Sequence, residues 1–381
     1  MTLNRRNRFG NFRPSGMKKI TVIGSGNAGC LTALESYNDY WHNCEIDIIH
    51  SPQEHPIEKF GQGTVPGYPK LFTEVLGVDW YNNSLDATIK TGILYENWGK
   101  KQDNIFHPFM MSQSAVHFVP DKLSKMVLES GLFNVIEKTI HDPEKEIDAD
   151  VIFDCRGRHN KDKSNYDRLI NPVNSVLLSK KDVGDGDLIW TRSVATPNGW
   201  TFVIPNKDSV SYGYLYNNTI TTKEDAIEDF LERFNLHKVD DDLVFENYVA
   251  KNMFIGERTV LQGNRYSFVE PLEATSFTTY EKIVHHAIST ILNNRDRSKV
   301  NKTMRRVVKE IETFILWHYQ FGSKYDTPFW DYAKSLPFNP NEKFNYFIDN
   351  LNNPHFDEDN KEDDYGQWDM NSFRWWMDGV S

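Results

Sequence analysis

Ile20-Thr21-Val22-Ile23-Gly24-Ser25-Gly26-Asn27-Ala28-Gly29 is the stretch on which the fold turns. A short β-branched run predicts a buried strand, three glycines spaced G-x-G-x-x-G predict a turn, and Leu31, Ala33 and Leu34 follow at helical spacing. The tight turn needs Gly24, close approach of a diphosphate needs Gly26, and packing of helix on strand needs Gly29. Ser25 and Ala28 lie among them, so this turn offers its amides and a helix N-terminus to a dinucleotide. Ile46-Asp47-Ile48-Ile49 predicts a second strand ending at His50, which completes a βαβ unit. An acidic ribose ligand is expected about 20 residues beyond the turn. His50 stands in its place, and imidazole offers the ribose hydroxyl a hydrogen bond instead.

Residues 1–16 carry Arg5, Arg6, Arg8 and Arg13 without apolar periodicity, which predicts a disordered basic arm. Residues 51–70, rich in Pro and Gly, predict an irregular loop crossing a site. Beyond it come a helix after Pro120, a buried strand at Val151-Ile152-Phe153, and a hairpin from Trp200 to Tyr216 turning at Asn206-Lys207-Asp208. Helical spacing returns at Ile227–Phe234, Ile283–Ile291 and Met304–His318, and the acidic run Asp357–Asp364 predicts a solvated loop.

Composition narrows the functions open to the chain. Across 381 residues, 43 Lys and Arg against 54 Asp and Glu give a formal charge of -11, which disfavours a nucleic-acid footprint. No stretch nears the roughly 18 consecutive apolar residues of a membrane span. Cys30, Cys44 and Cys155 are odd in number and form no C-x-x-C pair, so a disulfide framework and a zinc site are both disfavoured. His285 and His286 are adjacent on a predicted helix and point apart, and no metal is assigned. A reducing, cytoplasmic setting is expected, and a homo-oligomer is left open. Aromatic residues reach 13%, enough for aromatic-lined cavities as well as an aromatic core.

Asp154-Cys155-Arg156-Gly157, directly after a predicted strand, resembles the late fingerprint of FAD-binding folds; it favours FAD over NAD and assigns Asp154 and Gly157 to the cofactor. Three further segments join it: Phe60-Gly61-Gln62-Gly63-Thr64-Val65-Pro66, Trp200-Thr201-Phe202-Val203-Ile204-Pro205, and Phe268-Val269-Glu270-Pro271-Leu272-Glu273-Ala274-Thr275-Ser276. In order and identity the set resembles the flavin-dependent halogenases, typified by the tryptophan halogenases. The resemblance runs from Lys18 to Trp330 and takes in Phe314–Tyr319 and Thr327–Trp330.

The resemblance implies an α/β fold: an FAD-binding, Rossmann-like, three-layer unit of the class A flavin monooxygenase type, with a mixed-sheet substrate module and C-terminal helices. It divides the chain into the basic arm 1–16, an FAD module 17–160 with a strap at 58–70 and a lysine segment at 86–98, a sheet-rich substrate module 161–255, a return to the FAD module at 256–300, and a helical substrate lid 301–381. Phe60–Pro66 becomes the flavin strap, with Gln62 where the family has an acid, Gly63 for its Ala, and Thr64 kept. The W-x-W-x-I-P motif becomes Trp200 to Pro205, with Phe202 at the second Trp, and these two rings wall a tunnel between flavin and substrate.

The family's catalytic lysine falls on Lys90, eight residues before Trp98, and its partner carboxylate on Glu273. By the same resemblance halide rests on the amides of Thr275 and Ser276, Glu270 is a structural acid, and His107 and Phe109 wall the substrate pocket. The implied reaction uses FADH2 from a separate flavin reductase, O2, and chloride, bromide or iodide to halogenate a small, electron-rich aromatic of the indole or phenol type. The match thins after Trp330, which implies a more open pocket and a substrate other than free tryptophan. Two rival readings remain. An aromatic hydroxylase leaves Lys90, Glu273 and Trp200 unexplained, and an FAD-binding protein without catalysis draws on His50, Gln62 and Phe202.

Overall fold

Lys18–Ile23 and Cys44–His50 lie side by side and parallel, joined by helix α1 (Asn27–Tyr40), so the predicted βαβ unit forms. The structure, a computed structural model, describes residues 16–51, 56–109, 113–158, 163–183, 189–356 and 365–381. Residues 1–15 of the expected basic arm and the acidic run 357–364 lie outside the described residues. Three more parallel strands extend the unit into a five-stranded sheet ordered Thr259–Leu261, Val151–Asp154, Lys18–Ile23, Cys44–His50, Asn134–Glu137. Ile20, Val22, Val151 and Phe153 have no exposed surface, as expected where helices cover a parallel sheet. In such a sheet the ligand crevice lies beyond the carboxyl ends of the strands, and the glycine turn sits there.

The hairpin also forms as read: Gly199–Pro205 pairs antiparallel with Ser209–Tyr216, placing Trp200 opposite Leu215 and Phe202 opposite Gly213. It sits in a seven-stranded mixed sheet ordered Asp241–Val244, Ser175–Asp182, Ser209–Tyr216, Gly199–Pro205, Thr191–Thr196, Gly92–Glu96, Asn104–Pro108. Alternation along the strands divides its two faces. Tyr212, Tyr214 and Tyr216 pack with Phe230 and Phe234, while Trp200 and Leu215 join the opposite, aromatic core.

Helices form where periodicity placed them: α2 (Pro120–Glu129), α3 (Lys223–Phe234), α4 (Ser276–Leu292) and α5 (Arg297–Gln320). The chain closes with α6 (Pro328–Ser335), α7 (Glu342–Asp349) and α8 (Met370–Val380). Among the described residues no helix is long and apolar enough to cross a membrane.

The structure places Gly92–Glu96 and Asn104–Pro108 in the mixed sheet, although both lie within the stretch 17–160 that the sequence reading gives to the FAD module. Thr88–Lys90 instead pairs with Ala115–Phe118, which also pairs with Gln62–Gly63 of the strap. The chain changes sheets at Thr91, and Lys90 is the last residue before the change. That crossing carries its side chain to the seam between the two sheets, where the cavity runs.

Candidate active site

A cavity of about 710 Å³ begins at the glycine turn and ends beside Lys90 and Glu273. At the turn Gly24 adopts φ 108°, which only glycine takes without strain. A Cβ on Gly29 would stand 2.0 Å from the Gly24 carbonyl oxygen, so its role is packing and it does not reach the lining. Ser25, Gly26, Ala28 and His50 do line the cavity. Neither a capping side chain nor a first-turn acid serves the start of α1. Instead the Asn27 amide donates to Glu58 Oε1 at 3.0 Å, and a Cβ on Gly26 would meet the same carboxylate oxygen at 2.4 Å. A side-chain anion thus occupies the position a diphosphate would take, and the residues present fit FAD. Gln62, in the strap, accepts from Asn27 Nδ2 at 2.7 Å and ties strap to turn.

Asp154 corrects an expectation. It is fully buried, its carboxylate is engaged by Arg156 at 2.8 Å and by Arg265 at 3.1 Å, and it does not line the cavity. Asp154 braces the loop on which Arg156 and Gly157 line the cavity, and its two charged partners leave it no capacity for the cofactor.

Trp200 and Phe202 line the middle of the cavity with ring centroids 6.4 Å apart. A Cβ on Gly213, directly across the ladder, would fall 2.1 Å from the Phe202 ring, so glycine opposite Phe202 is a steric requirement. Trp200 Nε1 donates to Glu270 Oε1 at 3.2 Å, and Tyr319 donates its hydroxyl to the same oxygen at 2.5 Å. Burial pushes the Glu270 carboxyl up to about 8, against the hydrogen bonds from Tyr319 and Trp200, which favours the neutral acid as a bracket for Trp200.

At the far end Lys90 is only 2% exposed. Its ammonium donates to the Thr64 carbonyl at 3.0 Å and lies 5.4 Å from the centre of the Phe109 ring. Burial lowers its pKa to about 8, with Glu273 opposing the shift. Gly63 belongs to this packing, since a Cβ there would crowd Lys90 Nζ at 3.3 Å. Thr64 also takes the Val116 amide on its hydroxyl at 2.9 Å, which anchors the carbonyl that holds the lysine.

Glu273 has φ 75° and ψ 6°, and Ala274 follows at φ 55°. Two consecutive non-glycine residues in the left-handed region cost on the order of 1–3 kcal/mol each and persist only where surroundings hold them. The holders come from residues 367–368: Gln367 Nε2 donates to the Glu273 carbonyl at 2.9 Å and Trp368 Nε1 to its Oε2 at 3.0 Å. Immediately after this kink Thr275 and Ser276 open α4, whose N-terminus has no side-chain cap and faces the cavity. First-turn amides at such an end are a ready anion site.

His107 and Phe109 lie beyond Lys90 and outside the cavity lining. His107 packs against Trp375 with ring centroids 5.1 Å apart and faces the Ser372 hydroxyl at 3.3 Å; burial lowers its pKa to about 4. Helix α8 therefore packs over His107. Phe373 and Trp376 on α8 are buried packing residues, at 0% and 3% exposed. Gln367, Trp368 and the polar role of His318 were not legible in the sequence. The one available signal was the landmark Phe314–Tyr319, which contains His318.

The tryptophan halogenase family model matches residues 19–120 and 112–379. Tryptophan 7-halogenase RebH of Lentzea aerocolonigenes is 23% identical over 84% of this chain and 79% of its own length. Xcc4156, a flavin-dependent halogenase from Xanthomonas campestris, superposes with a TM-score of 0.78 at 16% identity, covering 96% of this chain and 89% of that one. A tryptophan halogenase from Shewanella frigidimarina gives 0.77 at 17% identity, with 96% and 89% covered. The glycine turn, the Trp200 strand and the lysine-carboxylate end of one cavity thus occur in a chain that belongs to the tryptophan halogenase family.

Proposed function

We propose that this protein halogenates an electron-rich aromatic of the indole or phenol type, using reduced FAD, O2 and a halide ion. One observation carries the reading: buried Lys90 and Glu273 close the same cavity that the glycine turn opens, with Trp200 and Phe202 between them. Bound reduced flavin, with O2, supplies the oxidising equivalents that convert halide into an electrophilic halogen. Glycines 24 and 26, Ser25, Ala28, His50, Gln62 and Gly157 hold the cofactor, with Gly29 and Asp154 supporting the turn and the loop from behind.

Thr275 and Ser276 hold the halide on the opening amides of α4. Trp200 and Phe202 keep substrate and flavin apart, so that the diffusible oxidant alone passes. Lys90 fixes that oxidant against the ring. With a pKa near 8 it donates a hydrogen bond as the ammonium, and its neutral fraction can take the halogen as a haloamine. Glu273 removes the ring proton once carbon-halogen bonding is complete. Phe109, whose ring lies 5.4 Å from the Lys90 ammonium, and His107 beside it pack behind the lysine and support it from outside the cavity.

Mass spectrometry of indoles and phenols incubated with the protein, FAD, a flavin reductase, NADH and each halide in turn tests the reading. A product mass that follows the halide and vanishes in Lys90→Ala is expected. Added oxygen instead would mark a hydroxylase. Steady turnover with NADH and no reductase would refute the separate reductase.

A further inference from the structure

Glu273 is held asymmetrically. Trp368 donates to Oε2, whereas Oε1 faces Nε2 of His318 at 3.4 Å. His318 lies on α5, is 1% exposed, and has its Nδ1 2.8 Å from the carbonyl oxygen of Phe314. A carbonyl can only accept, so Nδ1 carries a hydrogen and Nε2 is the ring nitrogen turned toward Glu273. Nε2 and Oε1 are the two atoms between which one proton can be shared. The ring cannot turn away, because Trp376 lies against it at 4.1 Å, with Phe314 at 5.1 Å and Tyr95 at 5.5 Å.

We propose that the base of this site is the Glu273–His318 pair, with His318 the positioning residue that takes up the proton Glu273 removes. This inference rests on the halogenation reading. When the halogenated ring loses its proton, the C–H bonding electrons return to the ring and the proton moves to the Glu273 carboxylate. The Trp368 N–H occupies Oε2, so the proton settles on the Oε1 side, shared with Nε2. No electron is transferred in this step, and the pair later releases one proton to solvent.

His318→Gln keeps a polar group of similar reach but cannot accept a proton. It is expected to lower kcat for halogenation about 100-fold, the size of a lost proton-transfer contribution, with KM for the aromatic unchanged. Halide oxidation, read with a free 1,3-diketone trap, and FAD binding are expected to stay at wild-type values. Deuterium at the ring position that is replaced should slow the variant about twofold or more and leave the wild type unaffected. A purely structural role would not produce that isotope effect. Wild-type turnover by the variant, or a rate loss with no isotope effect, overturns the proposal.

A second measurement does not depend on halogenation. In 15N-histidine spectra His318, assigned by its loss in the variant, should show a protonated Nδ1, and its Nε2 signal should shift in Glu273→Gln. An unmoved Nε2, or hydrogen on Nε2 in place of Nδ1, overturns the pairing. If no aromatic in the panel is halogenated by the wild type, the halogenation reading fails, and the spectra still decide whether the pair exists.

Discussion

One short stretch, residues 24–28, supplies the glycine turn at the flavin end of the cavity, with His50, Gln62 and Gly157 added to it, whereas the lysine end is assembled from residues 64, 90, 109, 273, 318 and 367–368. The first is locally determined and tolerant of its surroundings: an anion is held by any helix start that presents free N–H groups. The second is a set of buried charges and strained backbone that exists only because Thr64, Phe109, His318, Gln367 and Trp368 converge on Lys90 and Glu273. Cofactor binding should therefore survive changes that abolish chemistry, and stability should run against function at the lysine end.

The sharpest break in this contrast is Lys90→Met. Halogenation is expected to fall at least about 1000-fold, with the FAD dissociation constant unchanged by fluorescence titration. Removing a buried ammonium should also raise the melting temperature by roughly 2–4 °C. The pH dependence has a definite sign. Below pH 8 the folded chain bears the cost of a charged, buried Lys90; between 8 and 10.5 the unfolded chain binds more protons, so wild-type stability gains on the variant as pH rises. A wild-type-minus-variant difference that is flat across this window would contradict the buried, shifted lysine.

Next in size is Glu273→Gln, expected to cost about 100-fold in kcat. It should depress the Lys90 pKa further, since Glu273 opposes the shift that burial imposes. A pH-rate profile moved toward lower pH checks this. At the flavin end, Glu58→Gln removes the carboxylate lying on the Asn27 amide and should tighten FAD binding by about fivefold. Weaker binding in that variant would mean that Glu58 supports the cofactor and does not compete with it. The smallest effect is expected from Glu270→Gln. Burial raises the pKa of this acid to about 8, and an amide accepts from Trp200 and Tyr319 equally well, so kcat should change less than about threefold.

Legibility followed the range of the forces involved. Ile20 to Gly29, the hairpin at Trp200 and the helices after Lys223, Ser276 and Arg297 express periodicity and turn chemistry over a few residues, and each formed. Lys90 was named through motif order, yet nothing in the segment around it says that it is buried. Asp154 shows the converse. Its position after a strand resembled a cofactor ligand, but Arg265, far along the chain, folds back to claim it. Ser372 and Trp375 on α8 meet His107 only once the C-terminal helices are packed on the mixed sheet, a contact no local pattern in the sequence announces.

The family resemblance pointed to Lys90, and the sequence by itself determined the βαβ unit with its glycine turn and the sheet-rich middle. These depend on hydrogen bonding and side-chain spacing between near neighbours. Only the tertiary structure decided that Lys90 is desolvated, that burial raises the Glu270 pKa while Glu273 faces a histidine, and that Glu273 is held at positive φ by Gln367 and Trp368. Desolvation and the pairing of buried charges depend on which distant segments meet, and that is a property of the folded chain as a whole.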